Sequence, residues 1–224
     1  MYRFVSFLLA VLLASPSATA LCLTGEGWEP LTFENIEPNN FDISEAGDIL
    51  VTGNNSASFM VHPLMVNLDR TPILTWRWRV DAAGEPTDLT GKDGDDRPVA
   101  VYVAFPYDPD TASFSERMRR TLVEASQGSD APGRIIAYIW GGKQPAGTRY
   151  QNPYTGSESH FVIVEMGDAP KGEWRLAEMN IAEDYQSLFG VPMNMVQYVA
   201  VFSDSDDSKS LVEAQITEIC FKAR

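Results

Sequence analysis

Residues 72–80 read Pro-Ile-Leu-Thr-Trp-Arg-Trp-Arg-Val, and the apolar and polar side chains alternate with period two. An extended chain turns successive side chains to opposite faces. Leu74, Trp76, Trp78 and Val80 therefore share one face, and Ile73, Thr75, Arg77 and Arg79 share the other. Two indoles on one face call for a covering layer. Two neighbouring guanidiniums on the opposite face repel each other unless carboxylates lie against them. The segment reads as a strand of a sheet with one buried face.

Further β-branched or aromatic runs bounded by Gly, Pro, Asp and Asn occur at 99–105, 135–140, 161–164, 196–202 and 214–221, with weaker ones at 49–51 and 57–61. One stretch breaks the period. Phe114, Met118 and Leu122 stand four apart behind a Ser113-x-x-Glu116 capping box and ahead of Gly128, which predicts an amphipathic helix over 113–125. A shorter helical turn is expected over Glu183 to Leu188, stopped by Gly190 and Pro192. Many short strands with a single good helix predict an all-β fold: a two-sheet antiparallel sandwich of jelly-roll type with one inserted helix.

The ends of the chain suggest export. Arg3, an apolar run from Phe4 to Ala14, and a small-residue exit ending Ala18-Thr19-Ala20 have the order of a removable signal peptide, too short to span a bilayer. The expectation is a leader over 1–20 and one β-sandwich domain over 21–224, periplasmic or secreted, with no membrane span after leader removal. Leu21 stands before Cys22, which disfavours a lipid anchor. The two cysteines, Cys22 and Cys220, are expected to form a disulfide in an oxidising compartment, which would make the first and last strands neighbours. The net charge of −14 repels phosphate backbones and anionic headgroups, so nucleic acid is not an expected partner.

Several stretches together resemble a known family. Gly27-Trp28, Trp76-Arg77-Trp78-Arg79-Val80, Gly94-Asp95-Asp96, Val101-Tyr102-Val103, Tyr138-x-Trp140, Asn152-Pro153-Tyr154, Glu183-Asp184-Tyr185, Phe189-Gly190 and Asp204-x-Asp206 occur in this order over most of the chain. In this the chain resembles the exported bacterial family called domain of unknown function 3047. It departs from the pattern at Met179-Asn180-Ile181, where Arg is expected before the Asn. The resemblance implies export and a β-sandwich and transfers no activity.

The residues that can carry chemistry are few. With Trp76 and Trp78 turned inward, Arg77 and Arg79 either join a structural ion-pair network or grip an anion or uronic acid. The ligand-binding set expected from this reading is Arg77, Arg79, Asp95, Asp96, Tyr138 and Trp140, sharing one concave sheet. Asp204-Ser205-Asp206-Asp207 opens like an EF-hand but lacks Gly at position six and the closing Glu, so that motif is rejected. An irregular calcium site using Asp204, Asp206 and Asp207, or Asp93, Asp95 and Asp96, stays open beside the plainer reading of solvated turn acids. No other cofactor is expected. His62 and His160 lack metal-ligand spacing, and Gly-x-Ser-x-Gly is absent. A long polar-aromatic loop, Trp140-Gly141-Gly142 followed by Arg149 to Tyr154, is of the kind that stacks on sugars or simply packs.

Three function classes follow. A non-catalytic module for a glycan or small anionic ligand predicts a shallow groove. A lyase or glycosidase predicts a cleft holding two ionisable groups with perturbed pKa values, for which Tyr102, Tyr138, Arg77, Arg79 and His160 are one set available for β-elimination. An envelope structural or assembly protein predicts a neutralised arginine pair and a flat surface. The binding module is the reading adopted.

Overall fold

The computed structural model describes residues 20–92, 94–129 and 131–224, without the side chains of 121–123 and 125–127. Residues 1–19 of the leader expected over 1–20, Asp93 and the Leu122 side chain lie outside the described residues. In chain order the elements are β1 (Leu21–Cys22), β2 (Glu29–Thr32), β3 (Asn40–Ile43), β4 (Ile49–Asn54), β5 (Ala57–Asn67), β6 (Ile73–Ala82) and β7 (Arg97–Ala104). Then come α1 (Phe114–Gln127), β8 (Ile135–Trp140), β9 (Arg149–Asn152), β10 (Gly156–Glu165), β11 (Arg175–Asn180), α2 (Ile181–Phe189), β12 (Met195–Asp204) and β13 (Leu211–Lys222).

These strands form two sheets. One runs β11-β6-β13-β4-β3 with β1 beside β13, and the other runs β2-β5-β12-β7-β8-β10-β9. The pairings are antiparallel except β8 with β10, which is parallel. The expected all-β sandwich is the observed fold. β1 pairs β13 with Cys22 opposite Cys220, and a disulfide joins them across 198 residues of sequence. No helix of the described residues is long and apolar enough to cross a membrane.

The alternation in β6 does what the sequence demanded. Leu74, Trp76, Trp78 and Val80 are buried between the sheets, while Thr75, Arg77 and Arg79 face outward. β8 answers from the facing sheet: its own alternation turns Ile136, Tyr138 and Trp140 inward. Trp76 meets Trp78 at 5.2 Å and Tyr138 at 5.6 Å, and Trp78 meets Trp140 edge-on at 5.6 Å. Edge-to-face rings of this kind add about 0.5–1.5 kcal/mol per pair beyond the area they bury. A second apolar cluster with Leu89, Ala100, Tyr102, Phe161 and Phe202 lies on the other face of the seven-stranded sheet.

The helix over 114–127 has the expected capping box, with the Glu116 N–H donating to Ser113 Oγ at 3.2 Å and the Ser113 N–H donating to Glu116 at 2.5 Å. Its buried face is not the expected one. Phe114 and Met118 are 75% and 62% exposed, whereas Glu116 and Arg120 are buried. Arg134 donates to Glu116 at 2.8 Å, and Arg120 donates to the Ala131 and Ser129 carbonyls at 2.7 and 2.6 Å. Charge-assisted bonds of this strength outweigh the apolar stripe in setting the helix's rotation. The short turn expected at 183–188 is the full helix α2, capped by Asn180 and ended by Gly190 in the left-handed conformation.

Candidate functional site

Arg77 and Arg79 lie on the outer face of the six-stranded sheet, and the side chain between them is Trp174. Their guanidiniums sit 5.6 and 5.2 Å from its ring centre. Arg77 pairs loosely with Glu218 at 3.7 Å, and Arg79 with Asp81 at 3.0 Å. The expected grouping of these arginines with Asp95, Asp96, Tyr138 and Trp140 does not form. Tyr138 and Trp140 are core residues of the facing sheet, for the same period-two reason that buries Trp76 and Trp78. The Tyr138 hydroxyl donates to Asp184 at 2.8 Å, and Arg149 donates to the other oxygen of Asp184 at 2.5 Å. Burial and the Asp184 charge push the Tyr138 phenol well up.

Asp95 and Asp96 instead lie where β7 begins and β12 ends. These strands are antiparallel neighbours with Asp204 opposite Arg97, which brings the loop before β7 against the loop after β12. Arg97 is the centre of the cluster and is 5% exposed. It donates to the Asp95 carboxylate at 3.0 Å and to its carbonyl, and to the Tyr102 hydroxyl at 3.1 Å, and it stands 3.7 Å from Asp204. Its flat face lies over Phe202 at 4.6 Å and Phe161 at 5.2 Å. Burial works against its charge, but Tyr102, Asp204 and Asp95 together raise its pKa and keep it protonated. Gly141 allows this packing, since a Cβ there would stand 3.0 Å from the Arg97 Cβ.

Two loops clasp each other beside Arg97. Asp96 accepts the backbone N–H groups of Asp207 at 3.2 Å and Ser208 at 2.8 Å, and the Gly94 N–H donates to Asp207 at 2.8 Å. One carboxylate oxygen from each of Asp96, Asp204 and Asp206 lies within 4.8 Å of the others. Of the acids expected to hold calcium, Asp204 and Asp206 therefore come together, with Asp96 as third member in place of Asp207. Asp95 is committed to Arg97. Burial lifts the Asp204 carboxyl well above the ordinary range, opposed by Arg97 and reinforced by Asp206 and Asp95. Tyr154 completes the rim. Its hydroxyl donates to Asp95 at 3.0 Å and contacts the Lys92 carbonyl at 2.7 Å, while the residue is 54% exposed. A shallow open cleft adjoins the acids, lined also by Gly84, Gly141, Gly142 and Ser208. Three of the stretches that carry the family resemblance, Gly94-Asp95-Asp96, Asn152-Pro153-Tyr154 and Asp204-x-Asp206, thus meet at one place.

A second open cleft lies between α1 and the start of β8 and β10, lined among others by Asp108, Glu116, Arg119, Arg134, Glu158 and Tyr185. Although burial opposes it, Arg134 and the Ser113 bonds bring Glu116 down to about 2. Burial raises Glu158 against the pull of Arg119, which pairs with it at 2.6 Å. His160 packs edge-on against Phe189 at 4.9 Å, and burial together with Arg134 lowers its pKa. Glu116 and Glu158 each have an arginine partner, whereas Asp108 accepts from the Asp110 N–H and the Thr111 hydroxyl. His62 contacts the Glu26 carbonyl at 3.0 Å through Nε2, and neither histidine joins the acidic trio.

The residues that reading by sequence missed are Arg97, Trp174, and Asp184 as a partner for Tyr138, while Tyr154 entered only as the end of the polar-aromatic loop. Arg97 carried one available signal, its position directly after Gly94-Asp95-Asp96 at the start of an apolar strand.

Among solved structures, the chain is similar to the xyloglucanase domain of NopAA, a type three effector from Sinorhizobium fredii, in complex with cellobiose. The TM-score is 0.50 at 9% identity, covering 94% of this chain and 97% of that one. At that identity the likeness shows the fold alone. Weaker likenesses are to endoglucanase Cel12A from Rhodothermus marinus (TM-score 0.48, 10% identity, 92% and 99% covered) and to lectin II from Ulex europaeus (0.46, 10%, 93% and 99%). No curated protein matches the sequence. The family described as "Protein of unknown function (DUF3047)" matches residues 26–220, and the chain belongs to that family.

Proposed function

We propose that this is an exported domain that binds a glycan without turning it over, at the rim made by Tyr154, Asp96 and Asp206 beside the glycine-lined cleft. The observation that carries the reading is the setting of Tyr154, which is 54% exposed with the Lys92 ammonium 5.5 Å from one face of its ring, while its hydroxyl is anchored by Asp95 and the Lys92 carbonyl. A sugar stacks its C–H face on an aromatic ring and offers its hydroxyls to fixed acceptors. A held ring near partly open carboxylates supplies both, and glycines in the cleft wall let a ligand approach the backbone. Similarity of fold to a domain solved with cellobiose agrees with this reading but does not carry it, because one fold hosts many functions. The small-residue exit at Ala20 and the Cys22–Cys220 disulfide suit an oxidising compartment.

The test is a glycan array on the purified protein, followed by calorimetry of any hit on wild type and Tyr154→Ala. The expected result is binding without release of shorter sugars, at least about tenfold weaker in the variant, as loss of one stacking ring costs about 1–3 kcal/mol. A hit bound equally well by Tyr154→Ala would remove this site from the account.

A second reading, cleavage of a polysaccharide in the α1 cleft, has one observation in its favour. Glu116 and Glu158 line the same cleft with pKa values pushed in opposite directions, the pattern of paired acid and base. New reducing ends that disappear in Glu158→Gln would decide for it.

A further inference from the structure

We propose that Asp96, Asp204 and Asp206 form a divalent-cation site whose chemistry fits calcium. The cation is held by the chain's own carboxylates, so the proposal stands whether or not a glycan binds nearby.

Two independent observations point to an ion. The first is the convergence itself, with one oxygen of each of the three carboxylates within 4.8 Å of the other two. Three ionised carboxylates at that separation would repel strongly in a partly buried setting, so the trio carries its full charge only beside a cation. Among the described residues, Arg97 is the cation in salt-bridge contact with the trio, 3.7 Å from Asp204, and it is shared with Asp95. The second is an unsatisfied oxygen. The Asp204 side chain is 8% exposed; Oδ2 faces Arg97, whereas Oδ1 is buried and meets no N–H or O–H donor among the described residues, the side chain lying instead against the Asp206 carboxylate. A buried carboxylate oxygen with no donor is costly. A bound cation removes that cost and the repulsion together.

The donor set selects the cation. All three ligands are carboxylate oxygens, without His or Cys, which suits a hard ion and disfavours zinc or copper. Calcium takes sets of several protein carboxylates in flexible geometry, whereas magnesium keeps most of its waters and is held by only one or two, so three converging carboxylates suit the larger ion. The site is also held in shape before any ion arrives. Asp96 is fixed by the Asp207 and Ser208 N–H groups, and each of its oxygens keeps a further lone pair for a metal. Asp206 is only partly buried and Asp204 lines the adjoining cleft, which leaves a route from solvent.

The experiment is titration of chelator-treated protein with calcium chloride, with no glycan present, read by calorimetry and by thermal melting. The expected result is a single site with affinity of roughly 0.1–1 mM, the range of extracellular calcium modules, and a melting temperature that rises with calcium. Magnesium is expected to bind at least about tenfold more weakly. Asp204→Asn and Asp206→Asn should each weaken calcium binding at least about tenfold, and if the buried Asp204 variant fails to fold, the partly exposed Asp206 variant decides. Absence of heat and of any melting shift up to about 10 mM calcium would overturn the proposal, as would wild-type affinity in Asp206→Asn. Calcium binding accompanied by an empty glycan array would uphold this site and sink only the glycan reading.

Discussion

Asp96 accepts the backbone N–H of Ser208 at 2.8 Å across 112 residues of sequence, tying the loop before β7 to the loop after β12. Its second oxygen accepts the Asp207 N–H, so one side chain holds two amides of the facing loop. Asp96→Ala should destabilise the protein by about 1–3 kcal/mol, since both amides lose a charged acceptor. Asp96→Asn, which keeps one acceptor oxygen, should cost less. Urea denaturation in the presence of a chelator measures both, and equal stability of the three proteins would show that the clasp contributes nothing.

Tyr138→Phe tests a second buried bond, the one from the core tyrosine to Asp184. The substitution barely changes the packing against Trp76 but leaves Asp184 Oδ2 without its donor. A loss of about 1–3 kcal/mol is expected by denaturant unfolding. Removing the acid as well, in a double-mutant cycle with Asp184→Ala, should recover part of that loss.

The ion pair of Glu116 with Arg134 sets a pH dependence. Glu116 has a folded pKa of about 2, below its ordinary 4.5. A depressed carboxyl contributes stability that is complete above the unfolded value and is lost as pH falls through the folded one. Stability should therefore decline between pH 4.5 and 2 by about 2 kcal/mol from this group, and Glu116→Gln should be flatter over that window. Denaturation curves at stepped pH, comparing the two proteins, measure the difference.

The arginine pair should matter little to binding. Arg77 and Arg79 meet Glu218, Asp81 and Trp174 on a solvent-facing sheet surface. Exposed pairs of this kind are worth about 0–1 kcal/mol each. The double variant Arg77→Ala, Arg79→Ala should fold, lose no more than about 2 kcal/mol, and bind any array hit as wild type does. Loss of binding with folding intact would return these residues to the site.

The contrast between β6 and its surroundings shows how far the sequence could be read. Alternation is a local property, so the inward Trp76 and Trp78 and the outward Arg77 and Arg79 were legible from nine residues. The same rule, applied to Ile136, Tyr138 and Trp140, would have put those rings in the core. Their expected place in a groove fails because the partner of a strand is not written beside it. Trp174 reaches the arginines because β11 pairs with β6, a relationship between segments nearly 100 residues apart. The acidic trio was legible in part for the same reason: Asp204 and Asp206 are neighbours in sequence, while Asp96 joins them through the β7–β12 register. The apolar spacing of Phe114 and Met118 does not set the rotation of α1, because the partners of Arg120 and Glu116 lie beyond the helix, at Ser129, Ala131 and Arg134 just before β8. The short, mostly exposed strands β2 and β9 offered no apolar alternation to read.

The most direct measurement is amide chemical-shift mapping of the protein titrated with a glycan identified by the array. The rim account predicts that the largest shifts cluster at 94–96, 152–156 and 205–210, with the amides around Arg77, Arg79 and Trp174 unmoved. Shifts concentrated instead on 107–120 and 132–134, the walls of the α1 cleft, would contradict it.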